Sequence, residues 1–177
     1  KGLLITNHHC GYEAIAEQSS VNADYLSNGF WAMRPEEELP IPEKTVSFLI
    51  RMEDVTALIL ASVTPGMDEG ERGQAIQMAK DKIIEETKAS SGYEVSVESM
   101  FEGNEYYLFV YETFTDVRMV GAPPSSIGKF GGDTDNWMWP RHTGDFCLLR
   151  VYAGADGKPA AFNKSNIPYA PKHFLPV

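Results

Sequence analysis

The sequence predicts a mainly β fold into which one helix is inserted. Two observations carry this prediction. Short segments of alternating apolar and polar residues recur along the chain, separated by Gly, Pro and Asn residues, which is typical of half-buried strands joined by turns. One segment, residues 67–88, instead has apolar residues at helical spacing. With 177 residues and 43% hydrophobic content, the chain can bury a core, and a single domain is expected.

The predicted strands are distributed over the whole chain. The first spans residues 2–10 and carries a short apolar run near its start. The others cover residues 45–52, 94–101, 106–112, 117–120 and 145–151. Gly103 and Asn104 separate two of these strands and predict a β-hairpin, because Gly and Asn suit the tight turn that a hairpin needs.

The helix is predicted as an insertion at about residues 67–89. Ile76, Ala79 and Ile83 fall on one face of it. Acidic residues crowd its start and Lys88 lies at its end, which is the distribution that the helix dipole favours. We expect a surface helix packed against the sheet.

Residues 28–42 are rich in prolines and turn residues, and we expect them to cross the surface. Phe30 and Trp31 would anchor this segment by burial. The three consecutive glutamates at residues 36–38 are expected to form a solvated face.

The net charge of −10 argues against nucleic acid or an anionic membrane surface as a partner. No apolar run approaches the roughly 18 residues that a membrane span needs. The chain opens without a methionine, so we expect it to be a piece of a longer polypeptide whose targeting signal is not visible. Of the two cysteines, Cys147 lies on a predicted strand and is expected to be a small buried hydrophobe.

His8, His9 and Cys10 form the densest group of metal-ligating residue types. On a strand, His8 and Cys10 would share one face while His9 points to the other, which disfavours a site made of all three. Further ligands at CxxC or HxxxH spacing are missing from the sequence. The sequence therefore predicts no metal site, and nothing in it points to a cofactor.

The same residues fit another pattern better. Thr-x-x-His-Cys after an apolar strand resembles the histidine motif of chymotrypsin-like serine peptidases, in which the histidine before the cysteine is the general base, here His9. The triad aspartate of that fold opens a strand of the form Asp-apolar-x-Leu-Leu, which Asp145 does here. A serine hydroxyl needs an imidazole to take its proton, and a carboxylate must hold that imidazole in the correct tautomer.

Longer motifs make the resemblance more specific. TNHHCGY at residues 6–12 and GGDTDNWMWPRHTGDF at residues 131–146 resemble the dipeptidyl-peptidase 7 and dipeptidyl-peptidase 11 family of bacterial serine exopeptidases. GFWAMRPEEELPIP at residues 29–42 extends the match. The resemblance implies a chymotrypsin-like antiparallel β-barrel, one half of a double barrel, with an inserted α-helix. Residues 1–177 would be the N-terminal part of the catalytic domain, with its first strands missing.

The resemblance implies a serine exopeptidase that releases dipeptides from the free N-terminus of oligopeptides. Asn136 and Trp137 would contact that N-terminus. Asp133 and Asp135 could add negative charge there, although capping of backbone N–H groups is the alternative. A Gly-x-Ser-Gly turn is absent from the sequence, so the nucleophilic serine is expected outside this chain and the fragment alone is expected to be inactive.

A catalytically silent barrel that acts as a binding or scaffold module is the alternative function. Retention of both His9 and Asp145 favours the enzyme. For the full-length protein, the resemblance implies peptide substrates and a periplasmic, cell-envelope or secreted location. A homodimer stays open, and so does the choice between hydrophobic and acidic residues at the penultimate substrate position.

Overall fold

The structure is a computed structural model that describes residues 1–128 and 143–170. The chain divides into two compact units, one made of Lys1–Val46 with Phe114–Val177 and the other of Ser47–Thr113. The strands are β1 Leu3–Thr6, β2 Phe30–Trp31, β3 Leu39–Pro40, β4 Val46–Asp54, β5 Glu94–Met100, β6 Glu105–Phe114, β7 Asp116–Ala122, β8 Cys147–Ala153 and β9 Ile167–Pro168. The helices are α1 His8–Gln18, α2 Tyr25–Asn28, α3 Thr56–Leu60, α4 Glu69–Ser91 and α5 Ser125–Gly128.

The first unit contains a six-stranded sheet in the order β1-β8-β7-β2, with β3 also on β7 and β9 also on β8. Its pairings are antiparallel. Helix α1 packs closely on the sheet, because a Cβ atom on Gly11 would lie only 2.8 Å from Cys147 Sγ. The core between them consists of Ala14, Ile15, Ile41, Val117, Met119, Ala122, Cys147 and Leu149.

The second unit is a three-stranded sheet in the order β4-β6-β5 with α3 and α4. Asp68 and Glu71 form a capping box that starts α4, since each side chain accepts a hydrogen bond from the other's backbone N–H. Gly92 ends the helix with a left-handed φ of 70°, a conformation that glycine adopts without strain. At the two ends of the unit, the hydroxyl oxygens of Ser47 and Thr113 lie 2.8 Å apart.

Most of the predicted elements are found. Helix α4 begins two residues later than expected and extends to Ser91, and its stripe packs on the buried side of the β5-β6 sheet. Met100 pairs with Glu105 across the predicted hairpin. Cys147 is fully buried, as predicted. Mainly antiparallel sheet with an added helix is therefore confirmed. Among the described residues the six-stranded sheet does not close on itself, so the closed barrel stays a prediction.

The first predicted strand is too long. Strand β1 ends at Thr6, and His8 begins α1 instead of continuing the strand. The Asn7 carbonyl accepts hydrogen bonds from the N–H groups of Cys10 and Gly11, at 3.1 and 3.3 Å, and these open the helix. Within the described residues no helix is both long and apolar enough to cross a bilayer.

The segment between β2 and β3 differs from the prediction at two residues. Phe30 packs against the core, but Trp31 is 49% exposed and does not anchor the chain by burial. Glu38 is only 6% exposed, whereas Glu36 and Glu37 are exposed as expected. The expectation of a solvated face is therefore wrong for Glu38.

Glu38 can be buried because two side chains of β8 donate hydrogen bonds to its carboxylate, and one of them carries the opposite charge. Arg150 Nε donates to Glu38 Oε1 at 2.9 Å, and the Tyr152 hydroxyl donates to Oε2 at 2.9 Å. Burial, together with the hydrogen bond and charge of Glu38, raises the pKa of Tyr152 to about 12. Arg150 also donates to the Lys1 carbonyl oxygen at 2.8 Å. One carboxylate thus holds the loop before β3 onto the sheet.

A second buried ion pair lies beside the first. The Arg118 guanidinium donates to both carboxylate oxygens of Asp116, at 2.9 and 2.7 Å, and lies 3.7 Å from the centroid of the Tyr152 ring. Asn166 donates to the same carboxylate at 2.8 Å. These contacts join β7, β8 and the segment before β9.

We predict that Glu38→Ala destabilises the first unit by about 3 kcal/mol, because it leaves Arg150 and the Tyr152 hydroxyl without their buried partner. The matched control is Glu36→Ala, an exposed residue of the same run, which should change stability by less than about 0.5 kcal/mol. Chemical denaturation of the full-length variants, followed by tyrosine and tryptophan fluorescence, measures both. Equal effects of the two substitutions would contradict the prediction.

Candidate active site

The structure brings His9 and Asp145 together although 136 positions separate them. His9 Nδ1 lies 2.8 Å from Asp145 Oδ2, and the His9 backbone N–H donates to Oδ1 at 3.2 Å. A carboxylate at Nδ1 fixes the tautomer that leaves Nε2 as the ring nitrogen able to accept a proton. The His9 side chain is 63% exposed and that of Asp145 14% exposed. This geometry fits the roles predicted for the two residues, a general base and the carboxylate that orients it.

The register of the sheet explains why these residues meet. Strand β1 pairs with β8 antiparallel, and Thr6 lies opposite Cys147 at the end of the ladder. The chain after Thr6 therefore runs beside the chain before Cys147. Asn7 and His9 are in the first stretch and Asp145 is in the second. The sequence placed His9 at a strand end, and the structure places it in the first turn of α1.

Asn7 is a member of the site that the sequence analysis did not identify. Its side-chain amide donates to Asp145 Oδ2 at 2.9 Å. Burial by itself raises the pKa of Asp145, but the hydrogen bonds from Asn7 and His9 and the His9 charge outweigh it, and the net pKa is lowered. The carboxylate is thus held ionised. Asn7 precedes a helix, a position at which an asparagine side chain is normally expected to cap the helix. That expectation gives no reason to predict a contact with Asp145.

His8 lies in a different environment from its neighbour, although the predicted reason was wrong. The sequence analysis placed the two histidines on opposite faces of a strand. In the structure both belong to the first turn of α1, where consecutive side chains diverge by about 100°. His8 is fully buried and His9 is exposed. A supporting role for His8 stays a prediction.

Asn136, Trp137, Asp133 and Asp135 lie outside the described residues, so their roles stay predictions. The structure does describe the two ends of the segment that contains them. The Ile127 carbonyl accepts hydrogen bonds from the Gly144 N–H at 3.0 Å and from the Thr143 hydroxyl at 2.8 Å. The chain before residue 129 is therefore joined to the chain after residue 142, directly beside Asp145.

The described part of the chain contains no group of three or more His, Cys, Asp or Glu side chains that could hold a metal ion. His9 and Asp145 make direct contact with each other instead.

Comparison with known proteins identifies the family. A family model described as Peptidase S46 matches residues 1–177. The chain belongs to the peptidase S46 family. It is 55% identical over 177 residues to an Asp/Glu-specific dipeptidyl-peptidase of Flavobacterium psychrophilum, and 50% identical over 177 residues to dipeptidyl-peptidase 7 of Porphyromonas gingivalis. Both alignments cover 100% of this chain and 25% of the relative, so the S46 chain spans about a quarter of their length.

Solved structures agree with this assignment. The crystal structure of Porphyromonas endodontalis DPP11 in complex with substrate matches with a TM-score of 0.84 and 43% identity, over 98% of this chain and 26% of that one. The structure of the same protein with the dipeptide Arg-Glu matches with a TM-score of 0.81 and 42% identity, over 99% of this chain and 26% of that one. The resemblance stated from the motifs is confirmed.

We predict that His9→Ala in the full-length S46 protein lowers kcat/KM for peptide hydrolysis by roughly 10⁴-fold or more, as loss of a general base does. Asn7→Ala should cost about tenfold, because it removes one hydrogen bond to the orienting carboxylate but leaves the base in place. The control is Asn22→Ala, at an exposed position, which should match the unmodified enzyme. An Asn7→Ala variant with unchanged kcat/KM would show that Asp145 orients His9 without it.

Proposed function

We propose that the full-length protein is a serine-type dipeptidyl-peptidase that removes dipeptides from the free N-terminus of oligopeptides. The observation that carries this proposal is the hydrogen-bonded pair of His9 and Asp145, in a chain whose family is Peptidase S46. The names of its relatives, Asp/Glu-specific dipeptidyl-peptidase and dipeptidyl-peptidase 7, support the reaction class.

In the proposed mechanism, His9 accepts the proton of a serine hydroxyl as that hydroxyl attacks the scissile carbonyl. His9 then returns the proton to the departing amine, and water hydrolyses the resulting acyl-enzyme by the same two proton transfers, which releases the dipeptide and restores the serine. Asp145 stabilises the imidazolium that forms between the two steps, and Asn7 together with the His9 N–H keeps its carboxylate oriented and ionised. The serine and the oxyanion-binding N–H groups come from outside residues 1–177. A serine-directed fluorophosphonate should therefore label the full-length protein at a residue outside this chain.

An enzyme that removes dipeptides must hold the substrate ammonium group at a fixed distance from the scissile bond. We assign this task to Asn136 and Trp137, on the resemblance of their motif to the dipeptidyl-peptidase family. An amide oxygen accepts a hydrogen bond from the ammonium group, and an indole face attracts a cation. The substrates are peptides, as the substrate and dipeptide complexes of the P. endodontalis relative suggest.

An Asp/Glu-specific dipeptidyl-peptidase and a dipeptidyl-peptidase 7 match the chain similarly well, at 55% and 50% identity. Family resemblance is also the basis on which we propose a periplasmic, cell-envelope or secreted location. Homodimer formation by the full-length protein is a further proposal from the family resemblance. Sedimentation of that protein would test it.

The test of the N-terminal anchor compares one peptide with a free and an acetylated N-terminus. We expect the full-length enzyme to release a dipeptide from the free form only. Asn136→Ala should lower kcat/KM for the free form by roughly 10-fold to 150-fold, which corresponds to about 1.5–3 kcal/mol, the value of a hydrogen bond to a charged group. The acetylated peptide should be a poor substrate for both proteins.

Equal turnover of the two peptides by the unmodified enzyme would show an endopeptidase, and the anchor assignment would then be wrong. Complete inactivity towards both peptides, with no fluorophosphonate labelling, would instead favour a silent binding module.

A further inference from the structure

His8 is buried beside the candidate active site and is not used by the mechanism above. Its side chain is inaccessible to solvent, and neither ring nitrogen makes a well-aligned hydrogen bond within the described residues, although the Pro123 carbonyl lies close enough to affect the ring. Buried polar groups are nearly always paired, so a histidine in this position calls for a physical reason. The ring of Tyr12, one helical turn further on, lies edge-on to it with ring centroids 6.3 Å apart.

The His8 ring packs directly on the backbone of Gly128 at the end of α5. A Cβ atom placed on Gly128 would lie 2.3 Å from His8 Cδ2 and 2.4 Å from Cγ, distances that real atoms do not reach. The close approach therefore requires glycine at position 128. It fixes the distance between the first turn of α1 and α5.

Helix α5 is in turn joined to the residues before Asp145. The N–H groups of Ile127 and Gly128 both donate to the Pro124 carbonyl oxygen at 2.9 Å, which holds the short helix together. The Ile127 carbonyl accepts from the Gly144 N–H at 3.0 Å. Gly144 directly precedes Asp145, as His8 directly precedes His9. A series of packing contacts and hydrogen bonds through α5 thus connects the residue before His9 with the residue before Asp145.

We propose that His8 is a positioning residue for the His9–Asp145 pair, acting through the contact of its buried ring with Gly128. The ring seats α5 against α1, and α5 sets the position of the segment that carries Asp145. This inference rests on the proposed function for its catalytic consequence. The packing itself is independent of that function.

The electrostatic surroundings of His8 favour the neutral ring. Burial is the largest effect and lowers the pKa of His8, while the Asp145 carboxylate and the Pro123 carbonyl act in the opposite direction without reversing it. The His9 charge lowers this pKa further. Helix α5 contributes no ionisable side chain, and α1 contributes Tyr12 to the contact. A proton on His8 would therefore place a charge in a buried site, where the Pro123 carbonyl and the Asp145 carboxylate only partly offset the loss of solvation.

The sign of the pH effect follows from this environment. Because the folded-state pKa of His8 lies below its ordinary value of 6.5, the unfolded chain binds a proton more readily than the folded chain does. His8 then destabilises the fold as pH falls below about 6.5, down to its folded-state pKa, and it has no such effect above that range. A side chain of similar size that does not titrate removes this contribution.

The experiment uses four variants of the full-length protein: His8→Ala, His8→Leu, Gly128→Ala and the double variant His8→Ala with Gly128→Ala. At pH 7.5 we expect His8→Ala to lower kcat/KM roughly 10-fold to 100-fold, mainly in kcat, because the pair is misplaced without being removed. Gly128→Ala should lower it about 100-fold. The double variant should recover at least about tenfold over Gly128→Ala, since the added methyl group then finds room.

The controls separate packing from general destabilisation. Gly73→Ala places a Cβ atom in open space on α4 and should leave kcat/KM unchanged. His8→Leu fills the same site without a titratable group. Between pH 7.5 and pH 5 its thermal unfolding temperature should fall less than that of the unmodified protein.

Each result decides the proposal. It is overturned if His8→Ala has unmodified kcat/KM, or if the two losses simply add in the double variant. If Gly128→Ala does not fold, the kcat and KM of His8→Ala decide alone, and an unchanged kcat overturns the proposal. An unmodified protein that releases no dipeptide refutes the proposed function, while the unfolding measurements still test the role of His8.

Discussion

The antiparallel pairing of β1 with β8 is the constraint on which the candidate site depends. Its register places Thr6 opposite Cys147, and the next residues on one strand meet the preceding residues on the other. Asp145 then contacts three donors from a stretch of three residues: the Asn7 amide, the His9 backbone N–H and the His9 ring. A shift of this register by one residue would turn the core face of β8 outward and separate the pair. The strand pairing that builds the sheet therefore also brings His9 and Asp145 together.

The three hydrogen-bond donors to Asp145 also have different roles in the site. Two donors come from groups that do not titrate near neutral pH, and they hold the carboxylate in place before any substrate binds. Preorganisation of this kind removes reorganisation from the reaction step, which is why fixed dipoles and donors are effective in active sites. The third donor is the imidazole, which gains a charge during the proposed reaction. Asn7 thus stabilises the carboxylate of Asp145 and does not contact the proposed general base, the His9 ring, directly.

Several features of the fold and the site follow from the sequence, and the exceptions have physical causes. Helix α4 was predicted because its apolar stripe and its acidic start are local signals. His9 and Asp145 were found through motifs that pair residue types with a chain order. Glu38 was misjudged because its partners, Arg150 and Tyr152, lie 112 and 114 positions away, and three adjacent glutamates look alike without them. The start of α1 was missed because the chain passes from β1 into the helix through Asn7 alone, with no Gly or Pro between them to mark the boundary.

The ends of the second unit have a consequence for how this protein family can change. The chain enters that unit at Ser47 and leaves it at Thr113, and the hydroxyl groups of these residues touch. A segment whose two ends meet can be lengthened, exchanged or lost without rerouting the rest of the polypeptide. The sheet that holds His9 and Asp145 resumes at Asp116, only a few residues after the exit point. The geometry of the pair therefore does not depend on a particular length of chain between Ser47 and Thr113.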